Sequence, residues 1–360
     1  MLRTGLTVLR KPLRVKTRPL HFQLEPATGC NLKCKMCPVP DYGPEMRKNM
    51  SLDGFRRIFD QIGPIRVALS GAGEPFLNPD LLDMIRYARA GGAAVLTTTN
   101  FTLCRRKIEG ILDSNLSLLK ISLDATKPET YVKIRGVDFF DRIVSDIETL
   151  QSLKRKRRRK TPHLRLQFVI QHDNIDEIAA MVEQAHRLCA DALYFQPLET
   201  VYVAERRSEL AEGVTYDILK TRLEDARDRA ATLGLECNAG VLVKSLPSYF
   251  RKYEGIPSEP PTRICLLPWF SLYITVDGDV RPCCSFGNVA VPTLGNLFEQ
   301  DFEEIWNGEK YVDLRQRSIE RRLTYEICRN CTPNRLRDWV RLAGVLPGFA
   351  AGGSEAGDEF

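Results

Sequence analysis

Residues 30–37 read CNLKCKMC, so that Cys30, Cys34 and Cys37 follow one another in a C-x3-C-x2-C spacing. Thiolates this close can bind one face of a [4Fe–4S] cube, and such cubes normally take four cysteine ligands. A set of three leaves one iron without a protein ligand, where a substrate or cofactor can bind directly. A zinc site would need a fourth Cys or His close by, and His21 precedes the group at no familiar spacing. The spacing therefore favours an iron–sulfur cluster with one open iron.

The sequence around this motif alternates between short apolar runs and stretches with helical spacing. Six runs predict buried strands: LHFQLEP (20–26), IRVALS (65–70), AAVLTTTN (93–100), LSLLKISLD (116–124), LRLQFVIQ (164–171) and ALYFQPL (192–198). Helices are expected after a Ser51 cap, from Asn78–Pro79 onward, and near 102–113, 138–153, 174–189 and 216–233. This alternation predicts an α/β fold, a partial (β/α)6 TIM-type barrel with its chemistry on the loops after the strands.

The alternating pattern stops near residue 240, which divides the chain. We expect a basic arm over residues 1–19, the barrel over 20–240 and a linker over 241–263, where Pro, Ser and charge accumulate. A small Cys-rich domain is expected over 264–345, with two strands around an Asp277–Gly278 turn and a helix over 302–317. The tail over 346–360 has the composition of a disordered segment.

The net charge of +6 is local in origin. Without six cations in the first 18 residues and the seven of KRKRRRK (154–160), the chain carries 39 basic against 46 acidic residues. No aromatic residue interleaves this run, so we interpret it as a solvated helix end and do not expect a nucleic-acid partner. No apolar run is long enough to span a bilayer, and the first twenty residues contain no apolar core of a secretory signal. A cytoplasmic location is expected.

Later segments resemble a known family when they are read together with the cysteine motif. GAGEP (71–75) follows the second strand, Asn100 ends the third, and SLDA (122–125) ends the fourth, with Arg135 and Gly136 further on. In this order the fragments resemble the radical S-adenosylmethionine (SAM) superfamily, although Met36 stands where that family usually has an aromatic residue. The resemblance implies that SAM is bound by six residues: Gly71, Gly73, Glu74, Asn100, Ser122 and Arg135.

The resemblance also implies a reaction. The open iron would bind the amino and carboxylate groups of SAM, and Glu74 would pair with that amino group. An electron from the cluster, supplied by a reductant such as flavodoxin or ferredoxin, would break the S–C5′ bond. The resulting 5′-deoxyadenosyl radical would abstract hydrogen from an unactivated C–H bond, while the protein positions the reactants and excludes water.

A second cysteine group lies near the C-terminus. It comprises Cys265, Cys283, Cys284, Cys328 and Cys331. The segment CLLPWFSLYITVDGDVRPCC resembles the start of the SPASM domain, but no cysteine follows Cys331, which favours the shorter Twitch form with one auxiliary [4Fe–4S] cluster. Its ligands would be Cys265, Cys283, Cys328 and Cys331. Spacing alone fits a structural zinc site equally well. Cys284 is then left over as an alternative ligand, a buried thiol or a hydrogen-donating thiol near the substrate.

The sequence identifies the radical initiator better than the substrate. One auxiliary cluster resembles the aminocyclitol dehydrogenases, in which that cluster accepts the second electron, so we expect oxidation of a small polar substrate such as an aminocyclitol or sugar. Asp124 is a candidate general base by its position after the fourth strand. A radical epimerase with Cys284 as the hydrogen donor and a peptide-modifying enzyme remain alternatives, and RNA modification is a further one.

Overall fold

The computed structural model describes residues 2–41, 43–198, 207–253, 264–284, 293–322 and 328. The strands are β1 (His21–Leu24), β2 (Arg66–Leu69), β3 (Ala94–Thr99), β4 (Leu118–Ser122), β5 (His163–Ile170), β6 (Ala192–Pro197), β7 (Glu236–Cys237), β8 (Ser271–Ile274), β9 (Asp279–Arg281) and β10 (Gly295–Asn296). The α-helices are α1 (Leu2–Arg10), α2 (Leu52–Ile62), α3 (Leu81–Ala90), α4 (Ile108–Asp113), α5 (Pro128–Arg135), α6 (Phe140–Lys156), α7 (Ile178–Arg187), α8 (Arg207–Ala211), α9 (Tyr216–Thr232), α10 (Ala239–Tyr253), α11 (Phe302–Trp306) and α12 (Glu309–Ile319).

All six predicted barrel strands are present and parallel. Strands β1 to β6 lie side by side in chain order within a ten-stranded sheet, with helices between them, which confirms the α/β fold. Alternate residues such as Phe22, Leu24, Val67 and Leu69 are fully buried in the main hydrophobic core. Each such side chain contributes about 1.5–3 kcal/mol through burial. The intervening residues point to the other face of the sheet, the barrel lumen.

The Cys-rich domain continues the barrel sheet. Strand β8 pairs in parallel with β1, with His21 opposite Ser271 and Leu24 opposite Ile274, and β9 and β10 follow in antiparallel pairing. Gly278 has a φ of 85°, as the predicted turn between β8 and β9 requires. The same edge of the sheet therefore carries the start of the barrel and the start of the second domain.

The prediction of a linker over 241–263 is wrong for residues 241–253, which lie in α10. The ring of Phe250 packs edge-on against Tyr216 of α9, with centroids 5.7 Å apart, and the Tyr249 hydroxyl donates to the Leu198 carbonyl at 3.1 Å. Tertiary contacts of this kind outweigh the local effect of Pro247. Residues 254–263 lie outside the described part, as does the predicted disordered tail over 346–360.

The basic arm packs against the second domain. The Trp269 indole donates to the Pro12 carbonyl at 2.8 Å, and the Asn307 side chain exchanges two hydrogen bonds with the backbone of Val15, at 2.7 and 3.0 Å. Before this stretch, α1 buries Val8. The arm is thus an integral part of the fold, because its backbone polar groups find partners there. None of the described helices combines the length and apolar character that crossing a membrane requires.

Three helix predictions need correction. Helix α3 begins at Leu81, later than predicted: the buried Asn78 side chain donates to the carbonyls of Pro26 and Met50, at 2.7 and 2.8 Å, and its Oδ1 accepts from the Asp80 amide at 2.8 Å. The helix expected over 102–113 is a 3-10 turn, Arg105–Lys107, followed by α4. The helix expected over 302–317 is divided into α11 and α12, since Gly308 between them is extended.

The basic run Lys154–Lys160 ends α6 and leads into β5. Lys154 is buried, and its ammonium lies 2.9 Å from a carboxylate oxygen of Asp191 that also accepts a hydrogen bond from the Leu164 amide. Arg157 pairs with Asp113 at 3.0 Å. Part of the run therefore neutralises acidic groups of the barrel itself.

We predict that Lys154→Met lowers the free energy of unfolding by about 1 kcal/mol, because Asp191 loses its counter-charge. The matched variant Lys156→Met, in the exposed part of the same run, should leave stability unchanged. Urea unfolding of both variants measures the difference. Equal stabilities for the two variants would contradict a structural role for Lys154.

Candidate functional site

The CNLKCKMC loop (30–37) follows β1 at the carboxyl end of the parallel strands. Cys34 is buried, Cys30 and Cys37 are partly buried, and none of the three forms a disulfide. The pKa of Cys37 is raised to about 11, mainly by burial and in part by the charges of Cys34 and Cys30. Because charges act in this way over short distances, the three sulfur atoms lie in one neighbourhood.

The GAGEP loop (71–75) lies directly against the cysteine loop. The Gly73 amide donates to the Ala27 carbonyl at 3.3 Å, and the Glu74 amide donates to the Gly29 carbonyl at 2.8 Å. A Cβ atom on Gly73 would lie 2.3 Å from the Gly29 oxygen, so only glycine permits this approach. Gly71 is crowded by a side chain instead, since a Cβ atom there would lie 2.3 Å from the Cγ of Glu25.

The Glu74 carboxylate joins two loops. It accepts hydrogen bonds from the Phe76 amide at 3.0 Å, the Thr99 hydroxyl at 2.6 Å and the Asn100 amide at 2.8 Å. Burial raises the pKa of this carboxyl group, while these three donors oppose the rise. Its contact with the SAM amino group stays a prediction; the structure gives it the further role of tying the end of β3 to the GAGEP loop.

Asn100 fastens the cysteine loop from the end of β3. Its side-chain Nδ2 donates to the side-chain Oδ1 of Asn31 at 3.0 Å and lies 3.8 Å from the Cys30 sulfur. The side-chain Oδ1 of Asn100 accepts from the Thr102 amide and hydroxyl, at 3.0 and 2.7 Å, which fixes the side-chain amide in this orientation. Asn100 is therefore placed to hold Cys30 as well as to contact a cofactor.

Helix α5 supports the loop from a third side. The Arg135 guanidinium lies 3.4 Å from the Cys34 sulfur and forms a buried ion pair with Asp124. Burial lowers the pKa of Arg135, but the charges of Asp124 and Cys34 outweigh burial and raise it, so Arg135 stays cationic. The Lys35 amide donates to the Ile134 carbonyl at 3.1 Å, and Gly136, with a φ of 73°, turns the chain beside Lys33.

Asp124 is held on both sides. One carboxylate oxygen accepts from the Val169 amide at 2.7 Å, and the other faces Arg135. Asn174 donates to the carbonyls of Asp124 and Val169, both at 2.9 Å, and so joins the ends of β4 and β5. The structure thus brings the two predicted residues Asp124 and Arg135 together, as partners of each other. Ser122, two residues earlier, lies on the lumen side of β4, opposite Gln167 of β5.

Three of the C-terminal cysteines, Cys265, Cys283 and Cys284, lie at the other end of the barrel. Cys265 precedes β8, and Cys283 and Cys284 follow β9, which runs antiparallel to β8, so all three are near the end where the parallel strands begin. The Ser318 hydroxyl of α12 donates to the Cys265 carbonyl at 2.7 Å. Cys328 is described and partly buried, whereas Cys331 lies outside the described residues. The lumen therefore separates the CNLKCKMC loop from Cys265, Cys283 and Cys284.

The thiol sets fit iron–sulfur clusters in their chemistry. Within the described ranges, no three Cys, His, Asp or Glu side chains converge on a point where one metal ion would bind. A [4Fe–4S] cube does not require such convergence, because each of its thiolates ligates a different iron. Cys30, Cys34 and Cys37 would hold the first cluster, and a cavity of about 220 Å³ beside Cys30 and Arg47 borders that loop.

Sequence reasoning missed Arg315, which supports the second domain. This arginine is fully buried in α12 and donates to the carbonyls of Pro268, Leu13 and Trp306 at 2.8–3.0 Å. Its guanidinium also stacks 5.0 Å from the centre of the Tyr311 ring. The i, i+4 spacing of Tyr311 and Arg315 could have indicated this contact, because it places both side chains on one face of a helix.

We predict that Gly73→Ala loosens the cysteine loop and removes about four of about eight irons from the anaerobically reconstituted protein. The cause is the clash of the new methyl group with the Gly29 carbonyl. Gly29→Ala, next to Cys30, is the matched control, since a Cβ atom there would lie no closer than 3.5 Å to its nearest neighbour, the Cγ of Arg47. Full iron content in Gly73→Ala would show that the close approach does not support the cluster.

Comparison with known proteins agrees with this geometry. The model of the radical SAM superfamily matches residues 24–188, and SPASM, an iron–sulfur cluster-binding domain, matches residues 265–332. The chain is 27% identical over 315 residues to an AdoMet-dependent heme synthase of Methanosarcina barkeri, covering 82% of this chain and 85% of the relative. It is 24% identical over 342 residues to a PqqA peptide cyclase of Xanthomonas axonopodis, covering 89% and 82%.

A solved structure shares the fold. SuiB of Streptococcus suis, bound to its precursor peptide SuiA, aligns with a TM-score of 0.67 at 16% identity, over 94% of this chain and 76% of SuiB. The radical SAM domain implies a [4Fe–4S] cluster and SAM, and the SPASM domain implies auxiliary iron–sulfur binding. The chain belongs to the radical SAM superfamily and carries a C-terminal SPASM-type domain.

Proposed function

We propose that this radical SAM enzyme oxidises a C–H bond of a substrate held in the barrel lumen. The observation that supports this most is that the CNLKCKMC loop lies at one end of the lumen, whereas Cys265, Cys283 and Cys284 lie at the other. When bound, the cofactors supply a 5′-deoxyadenosyl radical at one end and an electron acceptor at the other. A substrate between them can lose a hydrogen atom to one side and an electron to the other.

Electron counting favours oxidation in such an arrangement. Hydrogen abstraction leaves the substrate one electron short, and a ketone or other unsaturated product forms only after loss of a second electron and a proton. Cys265, Cys283, Cys328 and Cys331 are the proposed ligands of the acceptor, and a fully ligated cluster is suited to electron transfer. Asp124 remains the proposed base for the proton, and its ion pair with Arg135 would have to open for this.

The chain's own residues would position the reactants. The cysteine loop is fastened by Gly73, Asn100 and Arg135, which fixes the place of the first cluster. Gly71, Glu74 and Ser122 complete the proposed SAM contacts. Flavodoxin or ferredoxin is the proposed reductant. Such positioning and exclusion of water are the protein's usual share of a cofactor-driven reaction.

Two substrate classes are open to this reaction. A small polar molecule, such as an aminocyclitol or sugar, is the class that the sequence favours. A peptide is the second candidate, which the similarity to a PqqA peptide cyclase and to SuiB with its precursor peptide supports. RNA is disfavoured, because Lys154 and Arg157 of the basic run pair with the barrel's own carboxylates.

Product mass separates oxidation from epimerisation. We predict that a substrate incubated with SAM and reductant, either an aminocyclitol or a peptide encoded beside this gene, becomes lighter by two hydrogens in mass spectrometry. A radical epimerase would leave the mass unchanged in ordinary water and incorporate one solvent deuterium in D2O, and this would fail in Cys284→Ala. The second result would replace oxidation with epimerisation.

A further inference from the structure

Three cationic side chains share the lumen face of the barrel. Arg66 begins β2, Lys120 lies in β4, and Arg165 lies in β5 directly opposite Lys120. The adjacent residues in these strands, Val67, Leu119 and Leu164, pack in the main hydrophobic core on the outer face of the sheet. Because successive side chains of a strand point to opposite faces, the three cations face the lumen. Ala68, Leu96 and Leu118 form a separate small apolar cluster, as the lumen side of the same strands requires.

These cations are withdrawn from water, and two of them have no carboxylate partner among the described residues. Arg66 is 5% and Arg165 4% exposed, and Lys120 is partly buried. Across the described part of the chain, neither Arg66 nor Lys120 forms an ion pair, whereas the buried cations Arg135 and Lys154 each have a carboxylate. Burying a charge is costly unless an opposite charge accompanies it.

The electrostatics agree with this geometry. The pKa of Lys120 is lowered to about 7, mainly by burial and in part by the charges of Arg165 and Arg66, while the charge of Cys284 opposes this shift. Burial also lowers the pKa of Arg66 to about 9, again with a contribution from Arg165. The three groups are therefore close enough to repel one another, and an anion between them would relieve that repulsion.

Neighbouring groups shape the site for a ligand. The Arg165 guanidinium stacks on the Tyr194 ring, 3.9 Å from its centre, which holds it in place. Gln23 and Gln167 lie on the same face of the sheet and offer further polar contacts. Glu25, at the end of β1, is engaged elsewhere: it accepts from the Tyr273 hydroxyl at 2.5 Å and from the Ala72 amide at 3.2 Å.

We propose that Arg66, Lys120 and Arg165 form a binding site for a carboxylate or phosphate group of the substrate. This inference rests on the proposed function, in which the substrate occupies the lumen. Arg66 stands at the beginning of its strand, so the anionic group would bind toward that end and the reacting C–H bond would point toward the cysteine loop. The substrate class is then an anionic small molecule, such as a sugar that carries a carboxylate or phosphate, or a peptide with an acidic residue next to the modified position. An aminocyclitol without an anionic group is itself a cation and does not fit this site.

Direct anion binding tests this site without turnover. Inorganic phosphate and acetate are titrated, by calorimetry at constant ionic strength, into reconstituted protein with SAM bound. We expect one saturable site per chain, and the tighter of the two anions identifies the group. Arg66→Gln/Lys120→Gln should weaken its binding at least about tenfold, because two charge-assisted hydrogen bonds are lost.

The matched control is Lys156→Gln/Arg158→Gln, which removes two exposed cations from the basic run and should bind the anion like the wild type. If the double lumen variant does not fold, Lys120→Gln alone replaces it, and weaker anion binding is again expected. Equal anion binding by all variants would overturn the proposed site. Absence of anion binding to the wild type would also overturn it, since the cations would then only balance charges of the protein. Because no product is measured, either failure is distinct from failure of the proposed oxidation.

Discussion

The close approach of two loops at the carboxyl end of the parallel strands is the contact on which the site depends. Gly73 lies against the backbone of the cysteine loop where no side chain fits, and two backbone hydrogen bonds hold the loops together. Glu74 then reaches the end of β3, and Asn100 and Arg135 approach the sulfur atoms of Cys30 and Cys34. The loop is consequently fixed from three sides before any cofactor binds.

The second domain is joined to the barrel through one continuous sheet. Because β8 pairs in register with β1, the second domain is part of the barrel wall, and the buried Arg315 ties that domain to the N-terminal arm. The outer face of the strands is apolar and packs on helices, while the lumen face carries polar and cationic groups. Cysteines at opposite ends of a polar lumen suit a substrate that reacts at one end and passes an electron toward the other.

Much of this fold could be predicted from the sequence, since each barrel strand is a short apolar run between helical stretches. The cysteine loop and the GAGEP loop could also be identified by their residues. The need for glycine at position 73 could not be predicted, because the clash of a Cβ atom there with the Gly29 carbonyl depends on how two loops that are distant in sequence meet. The same holds for the Asp124–Arg135 pair and for the convergence of Arg66, Lys120 and Arg165, which depends on how β2 to β5 pair in the sheet. Helix α10 was missed because Pro247 and its polar neighbours resemble a linker, whereas contacts with α9 hold it as a helix.

Release of 5′-deoxyadenosine tests the central claim most directly, because it reports whether the fastened cysteine loop supports cleavage of SAM. The reconstituted protein, given SAM and a strong reductant, should release 5′-deoxyadenosine, as chromatography with mass detection would show. A variant with Cys30, Cys34 and Cys37 all replaced by Ala should release none, while Cys189→Ala, an exposed cysteine outside both groups, should behave like the wild type. Equal release by the triple variant, or none by an iron-loaded wild type, would contradict the account.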